Sequence, residues 1–234
     1  MSLGHGKLGL AGMLLLAVTI LTVSPSPGAT ITENFDNNQF NQNLWNKFKV
    51  GTGSLSSVIN NRLEVTLPAS AGGALFMGGI QSTFALEGDF DMQVNFELLT
   101  WPAGNEAQIT LSIDNAYDFS INRRSRVPAP VNGGEIYFTM IKGQETDKPA
   151  SGGPGKLRMK RTGNKIEGFF WDGANWQLVG FYTDPSLGVA TKVNLNLNRD
   201  TSFSGPTVTA AFDNVLIHTG VANINPAPQL LLFD

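Results

Sequence analysis

Residues 90–113 read FDMQVNFELLTWPAGNEAQITLSI, and this stretch decides the fold class. Apolar side chains occupy every second position through 90–98, and the alternation resumes through 107–113. Alternation of period two places one set of side chains on a buried sheet face and the other set on the opposite face. The stretch therefore predicts two long strands, which we interpret as an antiparallel hairpin with its turn at 101–105.

The same alternation continues along the chain in short segments separated by turn residues. Asn60-Asn61 lies between two apolar runs and predicts a tight hairpin turn, because asparagine tolerates positive φ. Gly163-Asn164 and Asp172-Gly173 mark later turns, and no segment carries a helical apolar stripe longer than about two turns. Roughly a dozen short strands predict an all-β protein, a two-sheet antiparallel jelly-roll sandwich.

The composition excludes several classes of function. The chain holds 26 glycines and 12 prolines, which favour turns and short strands over long helices. A formal net charge of −3 without a block of like charges argues against a nucleic-acid partner and against an anionic membrane surface. The chain has no cysteine, so disulfides, thiol nucleophiles and cysteine-ligated metals are excluded.

The N-terminal residues resemble an export signal. Lys7 precedes an apolar run at 8–23, and small residues follow at Ser26-Pro27-Gly28 and Ala29. An uncleaved membrane anchor is the alternative, but the run is short for a span that needs about 20 residues. We therefore predict a secreted protein that is extracellular, periplasmic or at the cell surface. The predicted divisions are a signal peptide at 1–29, a jelly-roll domain at 30–220 and a C-terminal tail or linker at 221–234.

Five short motifs occur in a fixed order: ENFD at 33–36, LW at 44–45, GDFD at 88–91, WDGANW at 171–176 and AFDNV at 211–215. In this order they resemble the concanavalin A-like lectin/glucanase superfamily, in particular its secreted laminin-G-like modules. The resemblance covers nearly all of the chain after the leader and implies a jelly-roll fold. Members include sugar binders, hydrolases and modules of other roles, so the fold does not carry the function.

The laminarinase-type hydrolases of this superfamily place an E-x-D-x-E arrangement on one strand, because glycoside hydrolysis requires paired carboxylates. No such triplet occurs in this chain, and Glu87, Asp89 and Asp91 are interpreted as turn and strand-start charges. His218 is the single histidine after the leader, and it stands beside no evident nucleophile. The sequence therefore predicts no catalytic residue and a protein that is not an enzyme.

A candidate carbohydrate site combines aromatic side chains with polar residues at their rim, because sugar rings stack on aromatic faces. We expect it on the concave sheet and its bordering loops, with Trp101 exposed at the hairpin tip. Asn122 and Arg123 are placed in a long polar loop at 122–134. For Trp171 and Trp176, the alternative is that both pack the sandwich and steady the turn at 172–173. The candidate residues are Trp101, Tyr117, Asn122, Arg123, Trp171 and Trp176.

Calcium is the candidate cofactor, because oxygen ligands suffice for it and such sandwiches often bind it where the first and last strands meet. Its candidate ligands are Glu33, Asp36, Asp213 and Asn214. The alternative for Asp213 is a hydrogen bond to its own turn. A histidine-based zinc site is excluded by the histidine count.

These observations favour a secreted non-catalytic module that binds a polysaccharide or another glycan. A structural or adhesive surface protein is the alternative, favoured if the tail at 230–234 donates a strand to a neighbour. A glycoside hydrolase or lyase is the third hypothesis, favoured if carboxylates cluster in one groove.

Overall fold

The computed structural model describes residues 28–114, 119–125, 134–151, 153–183 and 191–223. Regular structure in these residues consists of fifteen β-strands and one short 3-10 turn. They include no helix with the length and apolar character needed to cross a membrane. The strands are β1 (Ala29–Glu33), β2 (Trp45–Val50), β3 (Leu55–Ile59), β4 (Arg62–Leu67), β5 (Phe76–Ser82), β6 (Ala85–Thr100), β7 (Gln108–Asp114), β8 (Phe119–Ser125), β9 (Glu135–Ile141), β10 (Gln144–Pro149), β11 (Gly155–Thr162), β12 (Lys165–Trp171), β13 (Trp176–Thr183), β14 (Lys192–Arg199) and β15 (Val208–Asn223).

The strands form two antiparallel sheets. The eight-stranded sheet has the order β13-β12-β11-β6-β15-β4-β3, and β1 also pairs with β15. The seven-stranded sheet has the order β10-β9-β8-β7-β14-β5-β2. This architecture confirms the prediction of an all-β antiparallel jelly-roll sandwich.

The core lies between the inner faces of the two sheets, as the alternation predicts. Met92, Val94 and Phe96 of β6 are buried, and so are Ile109 and Leu111 of β7. Each such side chain contributes about 1.5–3 kcal/mol through its removal from water. This burial holds together a chain that has no disulfide.

The strands β6 and β7 do not pair with each other, so the predicted hairpin at 90–113 is wrong. β6 lies between β11 and β15 in one sheet, whereas β7 lies between β8 and β14 in the other. The connection at 101–107 therefore crosses the sandwich, whose sheets pack about 10 Å apart. Period-two alternation identifies the buried face of each strand but does not select its neighbour.

Other local predictions are confirmed. Asn60 and Asn61 have φ of 54° and 56°, and Ile59 pairs with Arg62 across this two-residue turn. Both central residues at positive φ give the turn a twist that matches the flanking strands. The predicted loop at 122–134 begins too early, because residues 122–125 belong to β8.

Candidate functional site

The outer face of the seven-stranded sheet carries a groove with a volume of about 520 Å³. Even-numbered residues of β7, β8 and β14 face it, because the odd-numbered residues point into the core. Amide and hydroxyl groups therefore form its floor. These floor residues are Gln108, Thr110, Ser112, Ser120, Asn122, Asn194, Asn196 and Asn198.

Hydrogen bonds join the floor residues across three strands. The Thr110 hydroxyl donates to Asn122 Oδ1 at 2.7 Å, and Asn198 Nδ2 donates to Thr110 Oγ1 at 3.0 Å. Asn198 Nδ2 also donates to Asn196 Oδ1 at 2.6 Å, and Asn122 Nδ2 donates to Ser120 Oγ at 2.8 Å. These bonds orient the amides before any ligand arrives, which reduces the side-chain ordering that binding would cost.

The walls of the groove are partly apolar. Phe138 and Met140 of β9 line one side, and Met77 of β5 lines the other. The Arg124 guanidinium lies 4.6 Å from the centroid of the Phe138 ring and 5.4 Å from that of Phe203. The groove thus combines flat aromatic and cationic surfaces with a polar floor.

A second cavity of about 370 Å³ extends the groove towards β2. Gln81 Nε2 donates to Asn194 Oδ1 at 2.9 Å, which continues the network of amides onto β5. Lining residues therefore run from β9 to β2, across six neighbouring strands, or about 24 Å at a strand spacing of about 4.8 Å. The second cavity is lined by Asn46, Phe48, Met77, Gln81, Ser112, Asn194 and Asn196.

Asp200 carries the one carboxylate among the described residues that line the groove. A backbone N–H of Ser202, 3.0 Å from Oδ1, lowers the pKa of Asp200, and the nearby charge of Arg124 lowers it further. Glycoside hydrolysis ordinarily requires two carboxyl groups, one of which stays protonated at neutral pH. The described lining of the groove therefore supplies one of the two carboxyl groups.

The sequence at 17–217 matches the family described as "Protein of unknown function (DUF1583) C domain". The chain belongs to the DUF1583 C-domain family. No curated protein matches the DUF1583 chain in sequence.

Solved structures with this fold include a beta-1,3-glucanase from Mycobacterium marinum, at 14% identity over 83% of this chain and 100% of that chain, with a TM-score of 0.58. A beta-1,3-1,4-glucanase (lichenase) derived from a mouse hindgut metagenome is 11% identical over 82% of this chain and 99% of that chain, with a TM-score of 0.56. The exoplasmic/lumenal domain of VIP36 in its Ca²⁺/Man3GlcNAc-bound form is 9% identical over 75% of this chain and 83% of that chain, with a TM-score of 0.53. These similarities confirm the predicted concanavalin A-like fold.

The prediction that the protein is not an enzyme is wrong in the light of these structures. Most of the similar structures are glycosyl hydrolases or glucanases. The missing E-x-D-x-E triplet is therefore not a ground for excluding catalysis in the DUF1583 chain.

The six predicted carbohydrate residues do not form one site. Asn122 lies on the groove floor, but Arg123 points into the sandwich, is fully buried and pairs with Glu135. Asn122 and Arg123 are consecutive residues of β8, and consecutive side chains on a strand point to opposite faces of the sheet. Arg123 therefore does not line the groove, and the predicted rim is corrected at this position.

The tryptophans also lie away from the groove. Trp101 packs against the core, and its Nε1 donates to the Glu135 carboxylate at 3.3 Å, so the prediction of an exposed indole is wrong. Trp171 and Trp176 contact each other edge to face at 5.4 Å, beside the turn that joins β12 to β13 in the other sheet. Tyr117 lies outside the described residues.

Sequence reasoning missed the three asparagines of β14. The segment 193–198 reads VNLNLN, in which amides alternate with buried aliphatic side chains. A row of amides on the solvent face of a strand was the available signal, because strands ordinarily carry few asparagines.

The predicted calcium ligands do not form one donor set. β1 and β15 do pair, but the two Glu33 carboxylate oxygens accept the backbone N–H groups of Phe35 and Asn41, at 3.0 and 2.8 Å. Asp213 accepts two hydrogen bonds from Asn214, at 2.7 and 2.8 Å, as the alternative interpretation of this turn predicts. The described residues contain no group of three acidic or histidine side chains placed to hold a metal ion. Glu33, Asp36, Asp213 and Asn214 are therefore not gathered into one metal-binding group in the described part of the chain.

Proposed function

We propose that this protein binds a polysaccharide along the groove on the outer face of its seven-stranded sheet. The observation that carries this proposal is the hydrogen-bonded row of amides and hydroxyls on β7, β8 and β14. A buried polar network of this kind on a sheet face has no role in closing the core, and it presents its polar groups to the groove.

The chemistry of the groove suits a sugar chain. An amide side chain offers both donors and acceptors, as the hydroxyls of a sugar require. Phe138 and the methionine walls offer apolar surface to the faces of pyranose rings. A span of about 24 Å across the strands suits an extended polymer better than a single small molecule.

The similar structures guide the choice of ligand. Two of them carry names that state action on β-1,3- or β-1,3-1,4-glucan, and a third was solved with Man3GlcNAc. We therefore choose β-1,3-glucan and β-1,3-1,4-glucan as the first probes for this chain.

Calorimetric titration of each glucan tests the proposal. Asn194→Ala removes a partly exposed amide that lines both cavities, and we expect its affinity to fall about fivefold, as the loss of roughly one net hydrogen bond predicts. Asn95→Ala is the matched control, because Asn95 is also half-buried but lies on the outer face of the other sheet. Equal affinities for Asn194→Ala and the parent protein, or no binding of either glucan, would contradict the proposal.

The same samples separate binding from cleavage and from cation dependence. Release of reducing ends measures hydrolysis, and loss of that activity in Asp200→Asn would place the reaction in this groove. A binding constant that falls with EDTA and returns with millimolar calcium would identify a cation requirement.

A further inference from the structure

Apolar side chains cover the solvent side of the eight-stranded sheet at one edge, where the alternation ordinarily places polar residues. Phe181 is 59% exposed and Leu178 is 40% exposed, both on β13 at the end of the sheet order. We call this surface the edge face. Its apolar members are Phe169, Trp171, Trp176, Leu178 and Phe181.

A β-bulge produces this arrangement. The register between β12 and β13 shifts so that Leu178 pairs with Phe169 while Phe181 pairs with Glu167. Val179, the extra residue, and Gly180 after it are both buried, so Leu178 before them and Phe181 after them both reach the solvent face. Bulges that redirect side chains occur often at sheet edges that carry function.

Cationic side chains from β11 and β12 lie against these rings. Lys156 Nζ is 5.6 Å from the Trp171 ring centroid, and Lys165 Nζ is 4.7 Å from that of Phe181. The Arg158 guanidinium lies beside Trp176 at 5.5 Å from its ring centroid. Each distance is within the range of a cation–π interaction, so the rings fix the positions of the charges.

The edge face is net positive although the chain as a whole is not. It carries four cations, Lys156, Arg158, Lys160 and Lys165, beside three carboxylates, Asp91, Glu167 and Asp172. Arg158 pairs with Asp91, and Lys165 pairs with Glu167 at 2.5 Å. The formal net charge of the chain is −3, so this local excess of cations is confined to one surface.

We propose that the edge face is a second binding surface, selective for an anionic polysaccharide built of uronate units. A uronate ring presents an apolar face, which suits the exposed aromatic rings, and a carboxylate at its rim, which suits the adjacent lysines and arginine. On the edge face β13 contributes apolar residues, β11 contributes cations and β12 contributes both, so a polymer that crosses the three strands meets both kinds of contact. The charge complementarity selects an acidic chain over a neutral one.

This surface is independent of the groove. The two lie on opposite outer faces of the sandwich, and the described groove floor consists of uncharged amides and hydroxyls. Variants on one face therefore report on that face alone, and the failure of either proposal leaves the other standing.

Titration with polygalacturonate tests the inference. We expect Phe181→Ala to bind about tenfold more weakly than the parent protein, and Lys165→Gln to bind several-fold more weakly. Leu55→Ala is the matched control, because Leu55 is 55% exposed on β3, at the opposite edge of the same sheet. Leu55→Ala and the groove variant Asn194→Ala should bind polygalacturonate like the parent protein. Binding should weaken strongly in 1 M salt, where the Debye length is ~3 Å.

Four outcomes would overturn the inference. The first is that Phe181→Ala and Lys165→Gln, each with the melting temperature of the parent protein, bind polygalacturonate as tightly as the parent protein does. The second is that Asn194→Ala abolishes the binding of polygalacturonate. The third is that the protein binds phosphatidylserine vesicles, in a manner that depends on Phe181, but does not bind polygalacturonate. The fourth is that sedimentation shows a dimer of the parent protein and a monomer of Phe181→Ala. That result would identify a second copy of the chain as the partner that covers the edge face.

Discussion

Among the residues that the structure describes, two arginines lie fully buried, and their partners differ in kind. Arg123 pairs with the Glu135 carboxylate, whereas Arg199 donates to three backbone carbonyls. Burial lowers the pKa of Arg199, and the negative charge of Glu106 partly opposes this effect. Because the three acceptors of Arg199 belong to three loop segments, this residue joins the loops next to Asp200 at one end of the groove. Its acceptors are the carbonyl oxygens of Asn105 at 3.0 Å, Pro68 at 2.9 Å and Pro206 at 2.6 Å.

We predict that Arg199→Lys lowers the free energy of unfolding by about 3 kcal/mol. A lysine ammonium lacks the planar fork of donors, so it cannot reach all three carbonyls, and the carbonyls left without donors remain buried. Urea denaturation measures the change. Arg161→Lys is the control, because Arg161 is half-buried and its Nε donates to the carbonyl of Gly163 at 3.1 Å. Equal losses in the two variants would contradict this role of Arg199.

Asp213 links stability to pH. Burial raises its pKa above the ordinary value of 3.8, and the charges of Asp36 and Glu97 raise it further, although the Asn214 backbone N–H opposes the shift. Since the folded state binds this proton more tightly, the stability from Asp213 is present below its ordinary pKa and is lost as the pH rises through the raised pKa.

We therefore expect Asp213→Asn to melt at a higher temperature than the parent protein at pH 7, because the amide is neutral and its oxygen still accepts from Asn214. Below pH 3.8, where the parent carboxyl is protonated, the difference should shrink. Thermal melts at both pH values measure this. A variant that melts lower than the parent at pH 7 would show that the ionised carboxylate stabilises the fold.

At the scale of elements, β9 lies closest to the opposite sheet where it meets the hairpin of β12 and β13. A Cβ atom added at Gly168 would stand 2.5 Å from Thr139 Cγ2, and one added at Gly180 would meet the Thr139 hydroxyl oxygen. Neither glycine has positive φ, so close approach and not backbone conformation requires glycine at these two positions.

This geometry predicts a selective rescue. Gly168→Ala should cost about 1–3 kcal/mol through overpacking, and Thr139→Ser should recover much of that loss because it deletes the methyl group that clashes. Gly180→Ala should not be rescued, because serine keeps the hydroxyl oxygen. Double-mutant cycles from chemical denaturation measure both couplings. Equal rescue of the two alanine variants would contradict the described packing.

At the scale of the whole molecule, the sandwich exposes two outer faces of different chemistry. One carries the groove with its floor of amides and hydroxyls, and the other carries the cationic aromatic edge face. Polysaccharides of both kinds are met outside cells, so the two proposed activities agree with the export signal predicted at 1–29. β1 begins at Ala29 and pairs with β15, so removal of the preceding residues leaves the described sandwich intact.

We predict that the protein is exported and cleaved near Gly28 or Ala29. N-terminal sequencing of exported material should begin at Ala29 or Thr30. Lys7→Glu should reduce export because it reverses the charge before the apolar run, whereas Lys49→Glu in the folded domain should not. Exported protein that begins at Met1 would contradict the prediction.

The sequence by itself determined most of the strands and which of their faces is buried, because the period-two alternation is a local property of the chain, although it placed 122–125 of β8 in a loop. It also determined the turn at Asn60-Asn61, because the tolerance for positive φ is a property of the asparagine residues themselves. The ordered motifs indicated the superfamily, and Asn122 was identified as a candidate for a carbohydrate site.

Only the tertiary structure decided which strands are neighbours, because pairing joins segments that are distant along the chain. The order β8-β7-β14 places Asn122 and Asn198 on either side of Thr110, which is hydrogen-bonded to both, although no local pattern relates them. A phase difference of one residue turned Arg123 inward, and the crossing between the sheets directed Trp101 onto the core. The candidate binding surfaces depend on these non-local choices, and the alternation of residues along one strand does not contain them.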